Sequence, residues 1–333
     1  MRIRRIISGL LIVLSTALAV LVSLPGPPPE KPVYIPEPPP PLDELIPQGM
    51  RPDNMVTLRV LMGGETVEMD MERYLIGVVA AEMPVTFGVE AIKAQAVAAR
   101  TNALYNSLVR PKANHPGADV CTDMACCTAF LQDELLRGRW GYSYVENISK
   151  LINAILKTSG EYVEYEGEPI LAVFHSSSAV RTESSGNVWT TDLPYLVSVN
   201  SPETAEHVPG FVNAVTVSRS EFIEVVKSHY PDADFSGAED SWITEISFTE
   251  GRRVYELNIG GVPVKGTMLR SMFKLRSTAV SMKWIDGSIV FTTTGFGHGV
   301  GMSQYGANVM AKSGMDYKGI LSAYYTDTHV VES

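Results

Sequence analysis

The sequence predicts an α+β fold: a core of helices packed on antiparallel β structure, with a smaller inserted α+β domain. One N-terminal transmembrane helix is expected ahead of both. Three observations carry this. Residues 89–104 are alanine-rich and contain no Gly or Pro, a strong helix signal. Residues 55–71 alternate apolar and polar around Gly63-Gly64, which reads as a β-hairpin. Residues 242–266 give three short strands with turns at Gly251 and Gly260-Gly261, well separated from the long helix.

From the start of the chain, Arg2, Arg4 and Arg5 precede a run without charge over residues 6–24, long enough to cross a bilayer at about 20 residues per span. The arginines orient the remainder away from the cytoplasm. A signal peptide cleaved after Ala17-Leu18-Ala19 is the competing reading; continuation of the run to Leu24 favours a retained anchor. Residues 25–53 form a linker whose opening stretch, 25–41, holds ten prolines. In polyproline geometry that stretch reaches about 50 Å. The expected organisation is then a first core segment over 54–217, the inserted domain over 218–279 and a second core segment over 280–333. A net charge of −10 argues against binding nucleic acid or another dense polyanion.

Within the first core segment, Pro84 predicts a helix that stops near Glu82, because proline disfavours helical geometry in its neighbour. Residues 114–129 read as loop, 141–158 as helix, and 161–176 as two strands around Glu166-Gly167. Ser218 or Ser220 should cap a helix running through Tyr230. A short helix over 267–275, a strand over 288–294, a glycine-rich loop and helices over 302–312 and 317–325 complete the series.

Glu82 is the only charge in residues 74–82, among Val78, Val79, Ala80, Ala81 and Met83. Apolar surroundings and a helix C-terminus both disfavour a carboxylate, raising its pKa as a general acid requires. A surface glutamate capping the helix end is the alternative. Gln95 and Arg100 sit among alanines, while Lys93 and Arg100, seven residues apart, project from one face. Snorkelling to solvent is the ordinary fate of Lys93.

All three cysteines, Cys121, Cys126 and Cys127, follow His115 within twelve residues. Three thiolates and an imidazole suit a tetrahedral zinc site with no open position, a structural site. A Cys121–Cys126 or Cys121–Cys127 disulfide with one free thiol is the alternative. If adjacent Cys126 and Cys127 cannot both turn inward, Asp119, Asp123 or water supplies the fourth ligand. Residues 174–182, FHSSSAVRT, crowd His175, Ser176, Ser177 and Arg181 together, yet no glycine elbow or placed acid supports a serine nucleophile. Residues 295–306 hold five glycines with His298 between two of them and lack the lysine of a phosphate loop.

The ordered set VVAAEMP, EAIKAQAVAARTNAL, HPGADVC, FHSSS, DLPYL and GFGHGVGMSQYGA, over residues 54–330, closely resembles the stage II sporulation protein D family, which also includes amidase-enhancer proteins. The resemblance implies a lytic transglycosylase that cuts peptidoglycan glycan strands with Glu82 as catalytic residue. It implies a cleft rimmed by His175, Ser176 and Ser177, with His298 and Gln304 nearby. Lys93, Arg100 or Arg181 would meet the lactyl carboxylate of stripped strands, and Gln95 joins the substrate-binding candidates. Some members bind zinc through His-x5-Cys-x4-His-Cys; here Cys126 stands at the second histidine. Glycines are usual where Ala179 and Val180 stand. The implied setting is engulfment during sporulation, on the outer face of the mother-cell membrane. The implied partners are a membrane scaffold protein and a peptidoglycan amidase–endopeptidase. The other function class is a non-enzymatic, glycan-binding amidase enhancer; a zinc peptidase is a weaker third.

Overall fold

The computed structural model describes residues 39–46 and 56–332. The expected anchor at 1–24 and most of the proline-rich linker lie outside the described residues. Among the described residues, no helix is long and apolar enough to cross a membrane.

The hairpin forms as its alternation requires, β1 (Thr57–Met62) against β2 (Glu65–Asp70), turning through Gly63 and Gly64 at positive φ. A helix over Met71–Glu82 follows and ends where Met83, just before Pro84, becomes extended. The alanine-rich helix, Val89–Leu104, is the axis of the first core. Its small side chains let the Met71–Glu82, Tyr144–Leu156, Gln304–Lys312 and Tyr317–Tyr324 helices all pack against it. An unforeseen helix, Asp133–Trp140, precedes the third of these five in chain order.

Short strands fasten distant regions of this core. β3 (Val120–Cys121) pairs in parallel with β1. β4 (Glu161–Tyr165) pairs with β5 (Glu168–Pro169), which is only two residues long. Past Pro169 the Ile170 N–H still reaches Val163 O at 3.1 Å, but the Val163 N–H donates to Thr101 Oγ1 at 2.9 Å, and the pairing ends there. β6 (Phe174–His175) joins another sheet, pairing with a strand near the C-terminus rather than completing the expected hairpin.

The second core begins with β7 (Val212–Ser218) and a helix over Arg219–His229, whose first turn is capped by Ser218 Oγ accepting from Glu221 N at 3.3 Å. β8 (Ile243–Phe248), β9 (Val254–Ile259) and β10 (Val262–Lys265) form an antiparallel sheet in the order β10-β9-β8, and a helix over Gly266–Met272 follows. β11 (Val280–Ile285) and β12 (Ser288–Thr294) then pair with β7 in the order β11-β12-β7. Strands on both sides of residue 279 share one apolar cluster. Val280, Ile289 and Phe291 are buried with Phe222, Trp242 and Phe273, because alternate residues of β12 face that core. The second core thus extends through residue 291, and β7 and β12 bring its entry and exit strands side by side.

β13 (Met302–Ser303) occupies the start of the stretch expected to be helical; the helix begins at Gln304, capped by Ser303 Oγ accepting from Gly306 N at 3.1 Å. β14 (His329–Glu332) closes the first core against β4.

Candidate active site

Glu82 ends its helix half-buried, and both carboxylate oxygens are engaged. Oε1 accepts the Ala129 backbone N–H at 3.1 Å, and Oε2 accepts Gln304 Nε2 at 3.3 Å. Gln304 Nε2 also lies 3.5 Å from Gln95 Oε1, so two glutamines from separate helices converge on the acid. Burial raises the Glu82 pKa above its ordinary value; the Ala129 and Gln304 donors pull it back only in part. Among the described residues, no other charged group contributes to the shift. Gln95 Nε2 is buried without a hydrogen-bond partner among them.

The loop that delivers Ala129 is the cysteine loop. Leu131 N donates to Gly77 O at 3.1 Å, Thr128 Oγ1 and Tyr74 OH lie 2.9 Å apart, and Phe130 stacks on Tyr74. Gly77 has no room for a side chain, since an added Cβ would meet the Phe130 ring at 2.2 Å. Upstream, the ligand atoms of His115, Cys121, Cys126 and Cys127 all lie within 4.8 Å of one another. Cys127 Sγ sits 3.5 Å from His115 Nε2 and 3.8 Å from Cys126 Sγ. The adjacent cysteines therefore do both turn inward, and no cysteine is in a disulfide. His115 Nδ1 faces Ala118 O at 3.1 Å, the carbonyl contact that leaves Nε2 free to ligate. Asp119 is taken by Arg59, and Asp123 Oδ1 accepts Ala125 N, so neither completes the set. Burial pushes the Cys121 thiol up to about 12. Cys126 is depressed: burial opposes the shift, but the Asn114 amide, Cys121 and Lys112 favour its thiolate.

The glycine-rich loop folds onto FHSSSAVRT. Ser177 and Phe296 exchange backbone hydrogen bonds, and Glu183 N donates to Gly299 O at 2.8 Å. Ser177 is buried, its hydroxyl unpartnered among the described residues, whereas half-buried Ser176 lends its carbonyl to Tyr305 N at 3.0 Å. His175 is buried between Val300 O at 3.1 Å and Ser178 Oγ at 2.6 Å, and burial holds its pKa well below normal. His298 accepts Val300 N on Nδ1, so its Nε2 carries the proton towards Phe174 O at 3.1 Å. Burial lowers it to about 4, with Arg270 adding to the effect. Both imidazoles are neutral at pH 7, with ring nitrogens committed to the two loops. Val180 has φ 81, a conformation strained for a β-branched residue.

The expected cations are not at Glu82. Arg100 is buried and turned the other way: Nη1 donates to Glu161 O at 3.0 Å and Nη2 approaches Ile155 O at 3.5 Å, tying down the end of the Tyr144–Leu156 helix. Burial lowers its pKa to about 10. Lys93, on the same face, pairs with Glu90 at 2.6 Å and lies over Tyr317. Arg181 is saturated by Ser198, Asn200 and Glu250. The face presented to the acid carries Gln95, two residues from Lys93 and so about 200° around the helix. The Ala129 N–H, which no side-chain pattern signals, went unforeseen, as did an exposed Trp189 packed 5.3 Å from the His298 ring.

Taken together, fold and site describe an α+β protein with a half-buried carboxyl held beside a loop of one histidine and three cysteines. The profile of the Stage II sporulation protein family matches residues 64–165, spanning the acid, the alanine-rich helix and the cysteine loop. Stage II sporulation protein D of Bacillus amyloliquefaciens is 38% identical over 79% of this chain and 74% of its own length. The Bacillus subtilis (strain 168) protein of that name is 36% identical, over 79% and 75%. The amidase enhancer of the same strain is 29% identical over 76% of this chain but only 40% of its own. The chain belongs to the stage II sporulation protein D family.

Proposed function

We propose that this protein is a membrane-anchored peptidoglycan lytic transglycosylase acting in engulfment during sporulation. The observation that carries the reading is the setting of Glu82: burial raises its pKa, its described partners are neutral N–H donors, and no second carboxylate is among the causes of its shift. Ordinary glycosidases need two carboxyl groups. One suffices if the muramic acid's own C6 hydroxyl is the nucleophile. Glu82 then gives its proton to the glycosidic oxygen as the C1–O4 bond breaks. The C6 oxygen bonds to C1, and its proton returns to Glu82. The product is a 1,6-anhydromuramic end, and no water is consumed. The Ala129 and Gln304 N–H groups favour the carboxylate between the two transfers, while burial favours the acid before the first.

His115, Cys121, Cys126 and Cys127 would hold a structural zinc, four protein ligands leaving no open position. Its chemistry here is to fasten the loop that carries Ala129. Metal analysis should find about one zinc per chain; metal-free protein with a Cys121 disulfide contradicts the assignment. Partners of this activity would be an amidase–endopeptidase that strips stem peptides and a membrane scaffold protein, with the enzyme outside the cytoplasmic face.

Incubation of residues 39–333 with stripped glycan strands, followed by mass spectrometry, tests the reading. Wild type should release anhydromuramic ends, and Glu82→Gln should fold, bind and lose up to about 10⁴-fold in rate. The amidase-enhancer relative supports a second reading. A wild type that makes no product yet accelerates an amidase would establish that one instead.

A further inference from the structure

A cleft of about 820 Å³ opens between the end of the alanine-rich helix, the cysteine loop, Trp189 and His298. It shares two walls with the acid. Gln95 reaches Gln304 at Glu82, and Asn102, seven residues on along the same face, lines the cleft about 10 Å further down the helix. Ala129 meets Glu82, and Cys127 of the same loop lines the cleft. The offset is on the scale of one disaccharide.

The cleft's charge stands apart from the rest of the chain. The sequence carries 37 acidic against 27 basic residues, yet among the described residues no Asp or Glu lines this cleft, while Arg110 and Lys112 do. Lys112 is tied to the cysteine loop through Cys126 O and lies 3.5 Å from Cys127 Sγ. Arg110 is exposed, and its side chain has no partner among the described residues. Asn102 Oδ1 accepts Asn106 Nδ2 at 2.9 Å, which orients its own NH2 without giving it a partner among them. Trp189 offers an exposed indole held by a neutral His298. A free guanidinium, a free amide and a braced aromatic ring, with no repelling carboxylate, fit a sugar that bears a carboxylate.

We propose that this cleft is a subsite for a muramic acid residue about one disaccharide from the scissile bond. Trp189 stacks on the pyranose, Asn102 donates to the glycan, and Arg110 receives the lactyl carboxylate. The identity of the sugar rests on the transglycosylase reading; the carboxylate preference does not. Arg110 replaces Lys93, Arg100 and Arg181, all of which are committed elsewhere.

The test is a binding measurement on the full chain carrying Glu82→Gln, which removes turnover. Stripped glycan strands are compared with chitin oligosaccharides of equal length, which lack the carboxylate. Arg110→Ala should weaken binding of stripped strands about fivefold, the size of an exposed charge pair, and leave chitin binding unchanged. Arg110→Lys should recover part of the loss. Trp189→Ala should weaken both ligands about tenfold, the scale of one well-placed aromatic contact. Equal effects of Arg110→Ala on both ligands, or none on either, would overturn the carboxylate assignment. No effect of Trp189→Ala would overturn the platform. Failure of wild type to form anhydro ends would sink the transglycosylase reading alone, since the difference between the two ligands does not depend on cleavage.

Discussion

The two cores of the molecule are built from different materials. The first is organised around a helix that contributes Ala91, Ala94, Ala96, Ala98, Ala99 and Ala103, and it buries polar side chains along its length. Thr101 Oγ1 accepts Val163 N at 2.9 Å, Arg100 holds two carbonyls, and Gln95 meets Gln304. The second is a stack of aromatic rings centred on Phe222, which lies 5.4 Å from Phe273, 5.5 Å from Trp284 and 6.4 Å from Trp242. Alanines bring backbones close enough for a buried amide or guanidinium to find a partner on a neighbouring element. Aromatic rings instead fill volume by stacking and edge contacts. Glu82 sits on the first core, while the second meets the histidine loop: Gly299 packs so tightly on Arg253 that an added Cβ would lie 2.5 Å from the guanidinium carbon.

Substitutions separate the two kinds of core. Phe222→Ala removes the ring at the centre of the aromatic stack and should cost about 4 kcal/mol in urea unfolding. Glycan binding should persist in the protein that stays folded. A cost below about 1 kcal/mol would mean that the stack is not a cooperative core. Arg100→Ala should cost about 2–3 kcal/mol by leaving two carbonyls without their charged donor, with KM for stripped strands unchanged. The opposite pattern, unchanged stability and weaker binding, would put Arg100 back in the cleft.

Val180→Gly relieves a left-handed backbone at a β-branched residue and should stabilise the protein by about 1 kcal/mol, after the greater freedom of the unfolded glycine is offset. Thermal unfolding checks it; destabilisation would show that the Val180 conformation is not strained. The smallest effect is on Glu82 itself. Burial raises the folded carboxyl above its ordinary 4.5, so the folded chain holds that proton more tightly. Its contribution is fully present below the unfolded pKa and declines as pH rises through the folded one. Glu82→Gln, which cannot ionise, should therefore gain in relative melting temperature from about pH 4 to about pH 8. A pH-independent difference would mean that the carboxyl is not perturbed.

Much of the fold was legible because local chemistry decided it. The Gly63-Gly64 hairpin, the Val89–Leu104 helix, the Ser218 cap and strands β8 to β10 each follow from residues within a few positions of one another. The Asp133–Trp140 helix was not, since it buries only Leu136 and leaves no apolar stripe. Nor was the allegiance of β11 and β12, which is set by pairing with β7 some seventy residues earlier. At the site, the motifs singled out Glu82, Gln304, His115 and the three cysteines, and the fold brings Gln304 to Glu82 and the cysteines to His115. Periodicity placed Lys93 and Arg100 together but could not say which face of the helix meets the acid. The backbone of Ala129 carries no side-chain signal at all.

The central claim is that a single carboxyl suffices because the substrate supplies its own nucleophile. Cleavage of stripped strands in isotopically heavy water tests it directly. The new reducing-side ends should be anhydromuramic and carry no solvent oxygen. Heavy oxygen at those ends would mean that water attacks the anomeric carbon, and that a second catalytic group works with Glu82.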